Sequence, residues 1–256
     1  MATFVTHLVI GERVFARLKQ EHCPIQESEY GAFLLGCMLV DVNNFNGMDR
    51  RETHFVGRLE QDGQDAFRKS CANFVAQLDA LLVRPWSDLT PAAQAFVTGY
   101  LCHLAADEAW KQRSWEWQRS QASNPPTDPI APVGVLLTAF DAASTKTYRD
   151  SAAIASALTA AAVPHALTHI PHADLVEMWD TIRAHVLDGQ VPDSYFKLLQ
   201  RMGKSKARIE RIRREYDLYW QQAVSLLQKM GGVEPILRDS VERSMRIIPH
   251  LWDKFK

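Results

Sequence analysis

Apolar residues in this chain recur three and four positions apart, and nowhere do they alternate through a sustained run. Phe4, Leu8, Val14, Phe15 and Leu18 form one such stripe; Phe67, Cys71, Phe74, Val75, Leu78 and Leu82 form another. That spacing belongs to helices that hide one face, and without a period-2 pattern no half-buried strand is available to build a sheet. The expected fold is all-α, a multi-helix bundle of about seven to nine helices with strand content near nil.

A bundle of that size needs a core, and 256 residues with 46% hydrophobic and 23% charged content supply one. The expected organisation is one all-α domain over 1–256, in which 1–120 forms a metal-binding half and 130–256 a helical covering half. The net charge of -1 gives no global basic field, so no nucleic-acid partner is expected. No apolar run approaches the roughly 18 residues that span a bilayer, so no transmembrane segment is expected. Residues 1–10 are mildly apolar but lack a basic n-region and a small-residue cleavage site, and the chain reads as mature from its start. The four cysteines, Cys23, Cys37, Cys71 and Cys102, show no C-x-x-C spacing and read as reduced thiols, the pattern of a cytoplasmic protein.

Punctuation divides the chain. His22-Cys23-Pro24 ends the first helix, and Ser28 with Glu29 opens an apolar helix over 30–40 that stops at Asp41. Residues 43–47 are turn chemistry, and 50–55 read as a short polar loop carrying His54. A helix over 64–83 follows. Ser87-Asp88-Leu89-Thr90 then reads as a cap, with Pro91 at the first position of a helix running through Ala109 and on toward Trp115 and Trp117. The prolines of 123–132 break it. Residues 133–162 suggest one short and one longer helix, and Pro164 and Pro171 bracket His165, Thr168 and His169. A helix starts at His172 and ends at Asp188-Gly189. Residues 195–230 form a long helix or a pair kinked at Gly203, stopped by Gly231-Gly232, and a last helix over 234–252 is interrupted by Pro249.

The chemistry concentrates around one stretch. His103 and Asp107 stand four residues apart, which places an imidazole and a carboxylate on one helical face, able to share a divalent cation. Asp41, at a helix end, and His54 add a second carboxylate and imidazole, and His7 is a possible fifth donor. Each has a plainer reading: a surface pair for His103 and Asp107, a helix stop for Asp41, an exposed loop residue for His54, a core histidine for His7. Such donors suit Zn2+, and also Fe or Mn. The small Gly99, Ala105 and Ala106 would let another helix pack close.

Gly36-Cys37-Met38-Leu39-Val40-Asp41, Thr53-His54-Phe55 and Gly99-Tyr100-Leu101-Cys102-His103-Leu104-Ala105-Ala106-Asp107 resemble, in order and spacing, the motifs of the zinc-dependent phospholipase C family. The resemblance covers roughly residues 1–115 and implies an all-α fold with metals at the heart of the bundle. It places Asp41, His54, His103 and Asp107 at a first metal and His7 at a neighbouring one. The chain departs from the pattern at Val40, where the family has proline, and at Met1, where secreted members have a processed tryptophan. After Asp107 come Glu108, Lys111 and Arg113, with no histidine before His165. One or two ions are therefore expected. His165, His169 and His172 with Asp174 or Glu177 are either the makings of a second site or loop and helix-end residues.

The resemblance implies a metal-dependent hydrolase of phosphate esters, acting on a small-molecule or lipid substrate. Asp41 would double as general base, Lys111 or Arg113 would stabilise phosphate or leaving group, and Glu108 would orient a ligand histidine. The alternatives are a non-haem iron redox enzyme on the same ligands, or a helical binding module with a structural metal. Trp110, Trp115 and Trp117, with Lys111, Arg113 and Arg119, could line a substrate mouth or belong to an ordinary amphipathic helix. The basic run from Arg201 through Arg214 reads as a solvated face.

Overall fold

The computed structural model describes residues 4–56, 69–122, 139–144, 151–188, 196, 199–229 and 231–255. The expected helix start at 64 with Phe67, the proline break at 123–132, the start of the 133–162 stretch, and Gly189, Tyr195 and Met230 lie outside them, as do the side chains of Trp115, Trp117 and Arg119. The helices are α1 Phe4–Gln20, α2 Tyr30–Leu39, α3 Asn43–Asn46, α4 Arg50–His54, α5 Ser70–Leu81, α6 Pro91–Ala122, α7 Ser151–Ala160, α8 His172–Asp188, α9 Lys206–Lys229 and α10 Glu234–Lys254. The fold is all-α: among the described residues the β-structure is an isolated antiparallel bridge between Leu82 and Leu167. No described helix is long and apolar enough to cross a membrane.

α2 is the centre of the bundle. Gly31 through Leu39 are all buried, as befits a helix apolar on every side. α6 crosses it with backbone against backbone. A Cβ at Gly36 would lie 2.1 Å from the Phe96 carbonyl oxygen, and one at Gly99 would lie 2.0 Å from that of Phe33. Glycine is required at both places because no side chain fits between the chains. α10 packs along another face of α6 and reaches α1, where Arg13 pairs with Glu234 and Arg17 with Glu242. One apolar core runs from Phe4 to Leu251, so the C-terminal helix completes the core of the N-terminal half. A smaller cluster gathers Ala139, Phe196, Leu199, Ile209, Tyr216, Ala223 and Leu226.

Several boundaries follow the sequence. Thr90 Oγ1 accepts from the Ala93 amide at 3.2 Å, capping α6 as expected. Gly203 adopts φ 68° and α9 begins at Lys206, so the kinked pair is the form observed. The basic side chains in the first turns of α9, Lys206, Arg208, Arg211, Arg213 and Arg214, are exposed. Other boundaries do not. Ser28 caps nothing on α2; its hydroxyl donates to Glu29 instead. Residues 50–54 are a helix, not a loop. Pro249 lies within α10 without ending it, because Ile248 and Leu251 on either side are both fully buried and hold the helix in line.

Candidate metal centre

Short helices aim the first donors. α2 runs into a 3-10 turn, Val40–Val42, which leaves Asp41 fully buried beneath the crossing with α6. Asp49 caps α4 by accepting from the Arg51 amide at 2.9 Å, and Phe55 stops it with φ 53°. Two outside contacts hold that left-handed turn: Asn73 Nδ2 donates to the Phe55 carbonyl at 2.9 Å, and the Tyr100 hydroxyl donates to that of Thr53. His54 is thereby turned inward, with Nδ1 2.8 Å from Thr53 Oγ1.

α6 supplies His103 and Asp107 from one face. His103 Nδ1 lies 2.8 Å from the Cys37 carbonyl oxygen. A carbonyl only accepts, so Nδ1 carries the proton and Nε2 presents its lone pair to the pocket. From α1, the His7 ring stacks on His103 with centroids 3.8 Å apart, and His54 meets His103 edge-on at 5.3 Å.

The donors converge. His54 Nε2 lies 3.2 Å from Asp41 Oδ1 and 3.7 Å from Asp107 Oδ2, and His7 Nε2 lies 3.7 Å from Asp107 Oδ1. Yet His7 Nδ1, Asp41 Oδ2, His54 Nε2 and His103 Nε2 are buried and find no hydrogen-bond partner among the described residues. Buried polar atoms are rarely left that way, because each forfeits its hydration. Two groups, His7–His103–Asp107 and Asp41–His54–His103, each offer ligand atoms within 4.8 Å of one another and could hold a metal ion. They share His103, whose Nδ1 is taken by Cys37, so its one remaining nitrogen can serve one ion at a time.

Electrostatics set the matching protonation states. Burial lowers the pKa of His103 to about 3, helped by neighbouring His7 and opposed by Asp41 and Asp107. Burial likewise lowers that of His7. Burial alone would raise the carboxyl of Asp41, but His54, His103 and Arg50 outweigh it and hold it well below the usual range. Asp107 follows the same pattern through His103, Arg50 and Lys111. Neutral imidazoles beside ionised carboxylates are the forms that ligate cations.

The remaining expected residues divide. Lys111 Nζ is 4.0 Å from Asp107 Oδ2, one turn along the same face. Arg113 does not face the pocket. It lies six positions beyond Asp107, about 240° round the helix, and pairs with Asp239 of α10 at 2.8 Å. Glu108 also turns away, accepting from the Cys71 amide and from Arg243, each at 2.8 Å, so it orients no ligand histidine. The His165 and His172 rings lie tilted against each other with centroids 5.1 Å apart, and His172 Nε2 is 2.9 Å from the Val163 carbonyl oxygen. Asp174 accepts from Asn46, and His169 lies edge-on to Phe55 and Tyr100. None of these residues, nor Glu177, joins a ligand group among the described residues. Asp41 is fully buried and belongs to a group that could hold an ion; Asp107, 13% exposed, is the more accessible carboxylate.

Arg50 was not anticipated. Its NH1 donates to Asp41 Oδ1 at 3.3 Å and its NH2 to Asp107 Oδ2 at 2.6 Å. The signal for it was its position four residues before His54, the spacing that puts both on one face once 50–54 is helical.

Family models, curated proteins and solved structures gave no match to this chain. The fold and the pocket define a helical-bundle protein with a buried His/Asp group that could hold a metal ion.

Proposed function

We propose that this protein is a metal-dependent hydrolase of phosphate esters, similar to the zinc-dependent phospholipases C. The observation that carries the reading is the set of buried, unpartnered donor atoms on His7, Asp41, His54 and His103 beside Asp107, gathered in one pocket. The motifs around Asp41, His54 and His103 support it. Zn2+ is the leading ion, with Fe and Mn compatible with the same donors. A bound divalent ion would bring the pKa of a coordinated water to near 7 and polarise a phosphoryl oxygen.

The chain's own residues do the rest. His103, oriented by the Cys37 carbonyl, and His54, beside Thr53, hold fixed ring positions. Asp41 would supply a carboxylate ligand to the ion. Asp41 or Asp107 would accept the proton of the coordinated water, and Asp107, 13% exposed where Asp41 is fully buried, is the more accessible of the two. Lys111, beside it, favours negative charge at the mouth.

The test is metal analysis of protein purified without added metal, with a screen of phosphodiesters and phosphomonoesters with and without chelator. About one equivalent of zinc and chelator-sensitive hydrolysis are expected. Iron with a visible chromophore and no hydrolysis would favour the redox alternative, and hydrolysis indifferent to chelator would defeat the proposal.

A further inference from the structure

Arg50 stands at the mouth of the pocket, and the motifs assign it nothing. It reaches both carboxylates, Asp41 from the turn after α2 and Asp107 from α6, through two different nitrogens. Its side chain is 35% exposed, whereas Asp41 is fully buried, so Arg50 is the more accessible partner of that pair. A divalent ion would draw on the same oxygens. With neutral histidines, two carboxylates, Arg50 and a divalent ion together carry a net positive charge. A partly dry pocket does not tolerate uncompensated charge. An anion is therefore called for, and the planar guanidinium fork matches two oxygens of one phosphate.

We propose that Arg50 is the phosphate-binding residue of this site. When an ion draws on Asp41 and Asp107, the guanidinium turns its N–H groups to two phosphate oxygens, and ion and phosphate bind cooperatively. This rests on the metal reading above. The same chemistry serves a phosphate ester and free phosphate. The assignment also explains why Arg113 need not face the pocket.

The experiment is a calorimetric titration of the full chain with Zn2+, alone and with inorganic phosphate or dimethyl phosphate, for wild type, Arg50→Met and Arg50→Lys. Phosphate should tighten zinc binding by about tenfold in the wild type, and zinc should tighten phosphate binding by the same factor. Arg50→Met should bind zinc at least as tightly as wild type, having lost a competing cation, and should lose the coupling. A larger effect of dimethyl phosphate identifies an ester as the ligand; a larger effect of inorganic phosphate identifies the free anion. Zinc-loaded Arg50→Met that binds phosphate within twofold of wild type overturns the assignment. If circular dichroism shows Arg50→Met unfolded, Arg50→Lys decides: coupling cut severalfold supports the fork, and wild-type coupling overturns it. A wild type that binds zinc without coupling to either phosphate overturns Arg50 alone. A wild type that binds no divalent ion removes the metal reading and this one with it.

Discussion

α6 carries two polar faces, and they behave in opposite ways. On the face of His103 and Asp107, Arg50 donates to the carboxylates, yet His7 Nδ1, Asp41 Oδ2, His54 Nε2 and His103 Nε2 stay buried without a hydrogen-bond partner among the described residues. On the face of Glu108 and Arg113, charge meets opposite charge: Glu108 and Gln112 both accept from Arg243, and Arg113 pairs with Asp239. That second face borders a cleft of about 260 Å³ against α10. Both faces are built from the same helix and both are rich in titratable groups. Polar groups that a neighbouring helix satisfies belong to the architecture. Those left without partners form a group that could hold a metal ion.

The largest effect should come from the frame that both faces share. Gly99→Ala forces a Cβ onto the Phe33 carbonyl, and we expect a loss of about 3 kcal/mol or more in denaturant unfolding, with metal uptake lost as well. A loss below about 1 kcal/mol would mean that the crossing of α2 and α6 can relax.

Next, His103→Ala and Arg113→Ala should separate the two faces. Removing a ligand should cost metal affinity at least the roughly hundredfold seen when a ligand's supporting partner is lost. Arg113→Ala should leave metal uptake unchanged and cost about 1 kcal/mol of stability, since its partner Asp239 is half exposed. Metal loss in Arg113→Ala would erase the distinction.

Acid should then act with opposite signs on the two faces. The pKa values of His7 and His103 are lowered in the folded state, so the unfolded chain binds protons first as pH falls through about 6.5. Stability without metal should therefore fall from about pH 7 downward. It should fall again from the usual carboxylate range downward, because the unfolded chain protonates its carboxylates there while Asp41 and Asp107 are held ionised in the fold. Urea midpoints measured with chelator should show this loss, and His103→Ala should flatten it; an unchanged slope counts against a buried neutral imidazole.

The smallest effect belongs to Glu108. Burial raises its pKa against the pull of the Cys71 amide and Arg243, so the folded state holds its proton longer and its contribution falls as pH rises above the unfolded value. Glu108→Gln removes this opposing slope and should make the overall gain in stability with rising pH slightly steeper. A shallower profile would reverse the sign assigned to that face.

The two faces also differed in how far the sequence revealed them. The helical fold was legible because its signal is local periodicity, and the pairing of His103 with Asp107 because it is one turn of one helix. Asp41, His54 and His7 could be brought to that pair only through a resemblance, since nothing in their spacing says that three elements meet. Residues 50–55 misled because α4 is stopped by a left-handed Phe55 whose geometry is held by Asn73 and Tyr100, far off in sequence. Without that helix, Arg50 had no visible relation to His54. Arg113 and Glu108 failed for a simpler reason: both follow Asp107 closely in sequence, but the turn of the helix carries them toward α10. Pro249 misled because local chemistry argued for a break that packing on both sides overrides.

The glycine crossing has a consequence for traffic through the pocket. Where α2 and α6 touch, no side chain lies between their backbones, so that wall has no rotamer to change and nothing to compress. Cys37, Asp41 and His103 therefore keep their spacing while other parts of the molecule breathe. The opposite wall is made of α1 and the five-residue α4, which carry His7, His54 and Arg50. If the proposed function holds, an ion or a phosphate group would enter on that side, and its rate of passage should track how firmly the carbonyls of Thr53 and Phe55 are held at the end of α4.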